Sequence, residues 1–160
     1  MNKSQGVKGY FVSIFIAMGL NIFSFPVVIR DYNPDWVLLT LIYWVLAMPG
    51  KVGVFNAWGV GLIVDVLTGR LLGQHALAYS LTAYSCLKLH KRLGQYLLRQ
   101  QSFFIFSSLL LSKMIEFMIE DFKGDAKLTL VFLLPVVVGT FFWPIIYTTL
   151  RFFRSFRRIG

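Results

Sequence analysis

The sequence predicts an all-α integral membrane protein, a polytopic bundle of about six transmembrane helices. Of its 160 residues, 57% are hydrophobic and only 14% are charged, whereas a soluble domain carries about a quarter charged residues. The mean hydropathy is +0.68, and long apolar runs alternate with short polar turns. We therefore expect one integral membrane domain over residues 1–160, with a basic C-terminal tail at residues 151–160.

The first expected span, residues 10–29, contains no charged residue. At 1.5 Å per residue, a helix of that length crosses a hydrocarbon layer of about 30 Å. A cleaved signal peptide is the rival interpretation, but the run is long for one and no small-residue cleavage site closes it. We expect it to remain as an anchored span.

The second and third spans, residues 35–49 and 52–69, are joined by a turn at Pro49. Pro34 can begin the second helix without wasting a hydrogen-bond donor. The apolar part of the second run is short, so this pair either crosses the membrane or forms a re-entrant hairpin. Three aromatic residues of the second run are expected to form a packing face: Trp36, Tyr43 and Trp44.

Three further spans are expected at residues 75–92, 102–120 and 128–150. The first of them contains several hydroxyl side chains, which a helix bundle tolerates because they can bond to their own backbone. A basic segment follows it, of the kind that lies on an anionic membrane surface.

The positive charges predict the orientation of the six spans. A cytoplasmic N-terminus places eleven Lys and Arg residues inside and four outside, which agrees with the positive-inside rule. The inside residues are Lys3, Lys8, Lys51, Lys88, Lys91, Arg92, Arg99, Arg151, Arg154, Arg157 and Arg158; those outside are Arg30, Arg70, Lys123 and Lys127. Both termini are thus predicted to be cytoplasmic. The net charge of +9 does not indicate nucleic-acid binding, because no polar domain carries a binding face.

Small residues recur every fourth position through the third span and beyond it. They are Gly53, Ala57, Gly61, Gly69 and Gly73, with Asp65 in the same series. Positions four apart lie on one side of a helix. The series predicts a close helix contact with a carboxylate set into it.

Three ionisable residues fall inside the apolar runs: Asp65, Lys113 and Glu116. Lys113 and Glu116 are three residues apart and can pair on one helix face, and Asp65 could share the same cation. An intramembrane charge needs a partner or water because it is costly in hydrocarbon. Pinning of helices is the preferred interpretation, ahead of partner docking or gating and of a transport or proton-relay role.

The sequence predicts no enzyme, no metal site and no cofactor. Cys86 is the single cysteine, which excludes an intrachain disulfide, and no phosphate-binding loop or nucleophile motif is present. His75 and His90 have no neighbours in the sequence that would complete a ligand set, so both are interpreted as structural.

An ordered set of motifs resembles the rod shape-determining MreD family of Gram-negative bacteria. The set comprises Pro34-x-Trp36-Val-Leu-Leu, Tyr43-Trp44-Val-Leu-Ala-x-Pro49, Gly61-x-x-x-Asp65-x-x-x-Gly69-x-x-x-Gly73 followed by His75-Ala-Leu, and Trp143-Pro144 before the basic tail. The similarity is densest from Pro34 to Tyr84. No family role is carried onto Lys113 or Glu116.

The resemblance implies a non-enzymatic inner-membrane component of the cell-elongation machinery. Its expected partners are the membrane segment of MreC, then MreB, RodA and a penicillin-binding transpeptidase, together with anionic lipid. The family fold is thought to be similar to six-helix substrate-binding subunits of vitamin transporters. The alternative function is therefore that of a small-molecule transporter subunit, which would bind a vitamin-like ligand between its helices.

Overall fold

The computed structural model describes residues 3–23, 33–93, 98–124 and 130–156. Those residues form six α-helices and one short 3-10 turn, and none of them lies in a β-strand. The helices are α1 (Lys3–Ile22), α2 (Trp36–Ala47), α3 (Val54–Thr68), α4 (Gln74–Leu93), α5 (Leu98–Phe122) and α6 (Leu134–Phe156), with the 3-10 turn at Leu130–Leu133. The all-helical class expected from the sequence is confirmed.

Several helix bounds differ from the expected spans. Helix α1 begins at Lys3, seven residues before the first expected span, and residues 24–29 of that span lie outside the described residues. Helix α4 ends at Leu93, one residue past its expected span, whereas α5 begins at Leu98, four residues before its expected span; residues 94–97 lie outside the described residues. Arg157 and Arg158 of the tail also lie outside the described residues.

Three helix ends are explained by the residues found there. The Asp35 carboxylate accepts a hydrogen bond from the Leu38 amide at 3.0 Å and so caps the start of α2. Helix α3 ends at Gly69, whose φ of 65° is the left-handed conformation that glycine adopts most easily. Pro135 is the second residue of α6, where its missing N–H is no loss.

Successive helices run antiparallel. Midway along α1, the Trp44 indole donates to the Ser13 hydroxyl at 2.6 Å, and near the end of α1 the Asn21 amide reaches Asp35. Antiparallel packing of α1 and α2 follows, because residues late in α1 meet residues that begin α2. The end of α3 likewise meets the start of α4, which contacts the end of α5. Trp36 and Tyr43 meet Phe142 and Tyr147 in the same order, so α2 and α6 run parallel, as alternate helices of an up-and-down bundle do.

Helix α2 is the central helix of the bundle. All nine residues from Val37 to Val45 are buried, because α1, α4 and α6 pack around them. The expected aromatic face lies in these contacts: Tyr43 meets Tyr147 of α6 with ring centroids 5.7 Å apart, and Trp36 meets Phe142 at 5.5 Å. Pro34 is buried just before the helix, while Pro49 lies in the turn that follows it.

The outer surface is strongly apolar. Four of the helices each present a phenylalanine that is more than 70% exposed: Phe15, Phe55, Phe103 and Phe141. A contiguous apolar exterior of this kind is typical of a protein surrounded by lipid. Within the described residues, two helical segments are long and apolar enough to cross a membrane, Arg99–Phe122 and Val131–Ser155. The crossing of a membrane by all six helices stays a prediction.

Candidate functional site

The Asp65 carboxylate is the centre of a buried polar cluster. Asp65 lies in the last turn of α3 and has no exposed surface. One carboxylate oxygen accepts the Gly73 amide at 2.9 Å and the Ala76 amide at 3.4 Å, and the other accepts the His75 amide at 2.9 Å. Asp65 therefore binds three of the amide groups that a helix N-terminus leaves without intrahelical partners.

Helix α4 needs this external cap because of its sequence. It begins at Gln74, so Gly73 occupies the capping position and has no side chain that could accept a hydrogen bond. The carboxylate from α3 takes over that role, and its charge lies at the positive end of the α4 dipole. The acid expected at a helix contact thus joins α3 to the first turn of α4.

Gly61 permits the close approach that brings Asp65 to α4. A Cβ atom placed on Gly61 would lie 2.5 Å from the Ala76 amide nitrogen and 2.7 Å from the His75 carbonyl carbon. Both are backbone atoms, which cannot rotate away. The series of small residues does not continue on a helix beyond α3. Gly69 and Gly73 belong to the turn between α3 and α4, where they have positive φ angles of 65° and 104°. Their expected place on the contact face is wrong; they serve the turn instead.

His75 connects Asp65 to Glu116 of α5. Its Nδ1 atom lies 2.8 Å from the second Asp65 oxygen, and its Nε2 atom lies 3.7 Å from Glu116 Oε1. A carboxylate at Nδ1 favours the proton at that atom and leaves the Nε2 lone pair directed at Glu116 in the neutral ring. The neighbours of His75 thus come from other helices and not from the adjacent sequence, and its interpretation as a structural residue stays a prediction.

Glu116 is only 2% exposed and pairs with two cations. Lys113 Nζ lies 2.7 Å from Glu116 Oε2, the pair that the spacing of three residues predicts, and Arg70 approaches the same oxygen at 3.5 Å. Arg70 also bonds Glu120 at 2.9 Å. Lys113 is not the partner of Asp65, because the Asp65 oxygens accept from His75 and the α4 backbone.

Asp35 adds a second helix start to the cluster. The Tyr79 hydroxyl lies 2.7 and 2.9 Å from the two Asp35 oxygens and joins α4 to the cap of α2. A narrow cleft opens beside Asp35 and Lys113, lined otherwise by apolar residues and Ser112. Asp35, His75 and Glu116 each offer one potential ligand atom, and these atoms lie within 4.8 Å of one another.

Charges are segregated between the two ends of the bundle. All five acidic residues in the described ranges lie at the end where α2 and α4 begin, which we call the acidic end: Asp35, Asp65, Glu116, Glu120 and Asp121. At the opposite end, where α4 and α6 finish, the described chain holds exposed basic residues without an acid. This basic end includes Lys51, Lys88, Lys91, Arg92, Arg99, Arg151 and Arg154.

Comparison with known proteins places the chain in a family. The family model of the rod shape-determining protein MreD matches residues 5–153. The chain belongs to the MreD family. It is also 28% identical to the rod shape-determining protein MreD of Haemophilus influenzae over 145 residues, which are 91% of this chain and 88% of that protein. No solved structure gives a significant match.

Family membership associates the chain with determination of rod cell shape and with the rod-shape complex, and the MreD family is a membrane protein family. The resemblance inferred from the sequence motifs is thereby confirmed. Motifs from Pro34 to His75 that carried the resemblance supply much of the acidic end, since Asp65 and His75 bond there directly.

Several residues of the cluster were missed in the sequence. Arg70 bonds Glu116 and Glu120, and Tyr79 bonds Asp35, and each of these contacts joins residues 44 to 50 positions apart. One signal could have found part of the cluster: all seven acids of the chain fall at positions expected outside or in the outer halves of spans. Helices of alternating direction bring such positions to one end.

Proposed function

We propose that the chain is a non-enzymatic inner-membrane scaffold of the cell-elongation complex. In this proposal it binds the membrane segment of MreC and helps direct lateral peptidoglycan synthesis, with MreB, RodA and the elongation transpeptidase as further partners. The MreD family match over residues 5–153 is the observation that carries it. The bundle adds support, because an apolar exterior around a packed centre suits contacts with other membrane helices.

The basic end supports the proposed cytoplasmic contacts. Its exposed lysines and arginines lie at the finish of α4 and α6 and at the start of α5. Basic clusters of this kind attract the anionic lipids of the cytoplasmic leaflet by about 1 kcal/mol per residue near the surface. We propose that this end faces the cytoplasm and meets anionic lipid or MreB.

Topology can be tested with a thiol reagent that does not cross membranes. Cys86 is fully buried, so the native chain should react little with the reagent. Asp121→Cys at the acidic end should label in intact spheroplasts, whereas Lys91→Cys at the basic end should label only after permeabilisation. Labelling of Lys91→Cys in intact spheroplasts would reverse the proposed orientation.

Scaffolding can be tested by extraction in a mild detergent. The tagged chain should retain MreC, and its depletion should convert rods to round cells. An equally tagged, unrelated membrane protein of similar size is the control for non-specific recovery. A folded chain that recovers no more MreC than this control would contradict the proposal. The transporter alternative receives no support from the comparisons.

A further inference from the structure

The acidic end contains an arrangement that matches the donor set of a metal site. We propose that Asp35, His75 and Glu116 bind a divalent transition-metal ion of the Zn²⁺ class. The three donors come from three different elements: the cap of α2, the first turn of α4, and α5. This inference goes beyond the scaffold function and does not depend on it.

Histidine orientation is the first support. The Asp65 carboxylate lies 2.8 Å from His75 Nδ1 and leaves Nε2 facing Glu116. A carboxylate behind a histidine, with the opposite nitrogen free as ligand, is the arrangement that orients metal-binding imidazoles. Asp65 itself is held by three backbone amides, so the imidazole has a rigid support.

Glu116 supplies the second and independent support. Its two oxygens have different environments: Oε2 contacts Lys113 and Arg70, whereas Oε1 is buried and has no hydrogen-bond partner among the described residues. An unpartnered carboxylate oxygen in the interior is costly. Oε1 lies 3.7 Å from His75 Nε2, close to the separation of about 3.3 Å between two ligands of a tetrahedral zinc ion with bonds near 2 Å.

The charge of the cluster favours a divalent cation. Three carboxylates, those of Asp65, Glu116 and Glu120, are linked by hydrogen bonds or ion pairs to Arg70, Lys113 and His75. The Asp35 carboxylate has no such link to them, but a ligand atom of it lies within 4.8 Å of those of His75 and Glu116. The four carboxylates and the two permanent cations, Arg70 and Lys113, sum to a formal charge of about −2, which one divalent ion would neutralise. Lys113 and Arg70 do not occupy the ligand position, because both approach Oε2 and leave Oε1 open.

The third ligand, Asp35, is also held in place. Tyr79 donates its hydroxyl proton to the Asp35 carboxylate, and the carboxylate caps α2. The three donor atoms lie within 4.8 Å of one another, so binding would draw them together by up to about 1.5 Å. One nitrogen and two oxygen donors suit Zn²⁺ and its neighbours better than Mg²⁺ or Ca²⁺, which select all-oxygen sites. The ion would clamp α2, α4 and α5 at the acidic end.

The test is zinc binding by the purified full chain after treatment with a chelator. We expect about one Zn²⁺ per chain by calorimetric titration, a higher unfolding temperature with Zn²⁺ than with Mg²⁺, and a tetrahedral absorption spectrum with Co²⁺. Glu116→Gln preserves the size of the side chain and should weaken binding at least tenfold. Glu120 contributes charge but no ligand atom, so Glu120→Gln, one turn further along α5, should weaken binding by clearly less than tenfold.

His75→Ala and His90→Ala form a second matched pair. The first should weaken zinc binding at least tenfold and the second should leave it unchanged, because His90 lies at the finish of α4 near the basic end. Where His75→Ala fails to fold, the Glu116 and Glu120 pair and the wild-type Co²⁺ spectrum still decide the question. The proposal is overturned if the wild-type chain binds no zinc, or if Glu120→Gln weakens binding as much as Glu116→Gln.

Discussion

Removal of the Asp65 carboxylate should destabilise the bundle more than removal of any exposed acid. In Asp65→Ala, the amides of Gly73, His75 and Ala76 lose their acceptor at a site with no exposed surface. Loss of a helix cap costs about 0.5–2 kcal/mol, and each buried donor left without a partner costs about 1–3 kcal/mol. Allowing for partial rearrangement of the turn, we expect a loss of about 3–5 kcal/mol in the free energy of unfolding.

Cys86 provides the assay. It is the only cysteine and is buried in α4, so a thiol-reactive dye reports unfolding in detergent. Asp65→Asn retains one acceptor oxygen and should lose about 2 kcal/mol. Asp121→Ala, an exposed acid at the same end, should remain within about 0.5 kcal/mol of the wild type. A loss of less than 1 kcal/mol in Asp65→Ala would refute the capping argument.

Two further predictions use matched pairs of variants. Gly61→Ala places a methyl group against the α4 backbone and should lower the free energy of unfolding by about 1–3 kcal/mol. Gly59→Ala places its methyl group in open space and should raise that free energy by about 0.5–1 kcal/mol through helix propensity. Unfolding measurements that give both variants a change of the same sign would contradict this assignment. Tyr79→Phe should lose about 1–2 kcal/mol with its bond to Asp35, while Tyr84→Phe, 57% exposed, should change stability little. Equal stability of the two tyrosine variants in the Cys86 assay would show that the Asp35 bond contributes nothing.

The sequence was sufficient to predict the helices, since runs such as residues 102–120 have the length and hydropathy that helices in membranes require. Helix ends were harder to predict, because they depend on capping rather than on hydropathy. Helix α1 begins at Lys3, within a polar segment that hydropathy does not mark as helical. Helix α6 likewise continues to Phe156, six residues past its expected span and into the basic tail.

The candidate site was only partly predictable, because its contacts are distant in the sequence. Lys113 and Glu116 pair through local helical spacing, which a sequence shows directly. Asp65 was recognised as unusual, but its partners are amide groups that follow from the position of Gly73 at the start of α4. His75 was interpreted as structural because no ligand residue lies near it in the sequence. Glu116 lies close to His75 only because α5 packs against α4.

The cap that Asp65 places on α4 also constrains how the protein enters the membrane. A lone carboxylate within a helix is costly to insert into hydrocarbon, by about 2.5–3.5 kcal/mol at the centre of the bilayer. Its partners, Gly73, His75 and Ala76, lie only eight to eleven residues further along the chain. In the predicted six-span topology, α3 would therefore be inserted together with the first turn of α4. The two helices are expected to leave the insertion machinery as one hairpin, with the carboxylate already hydrogen-bonded to the α4 amides.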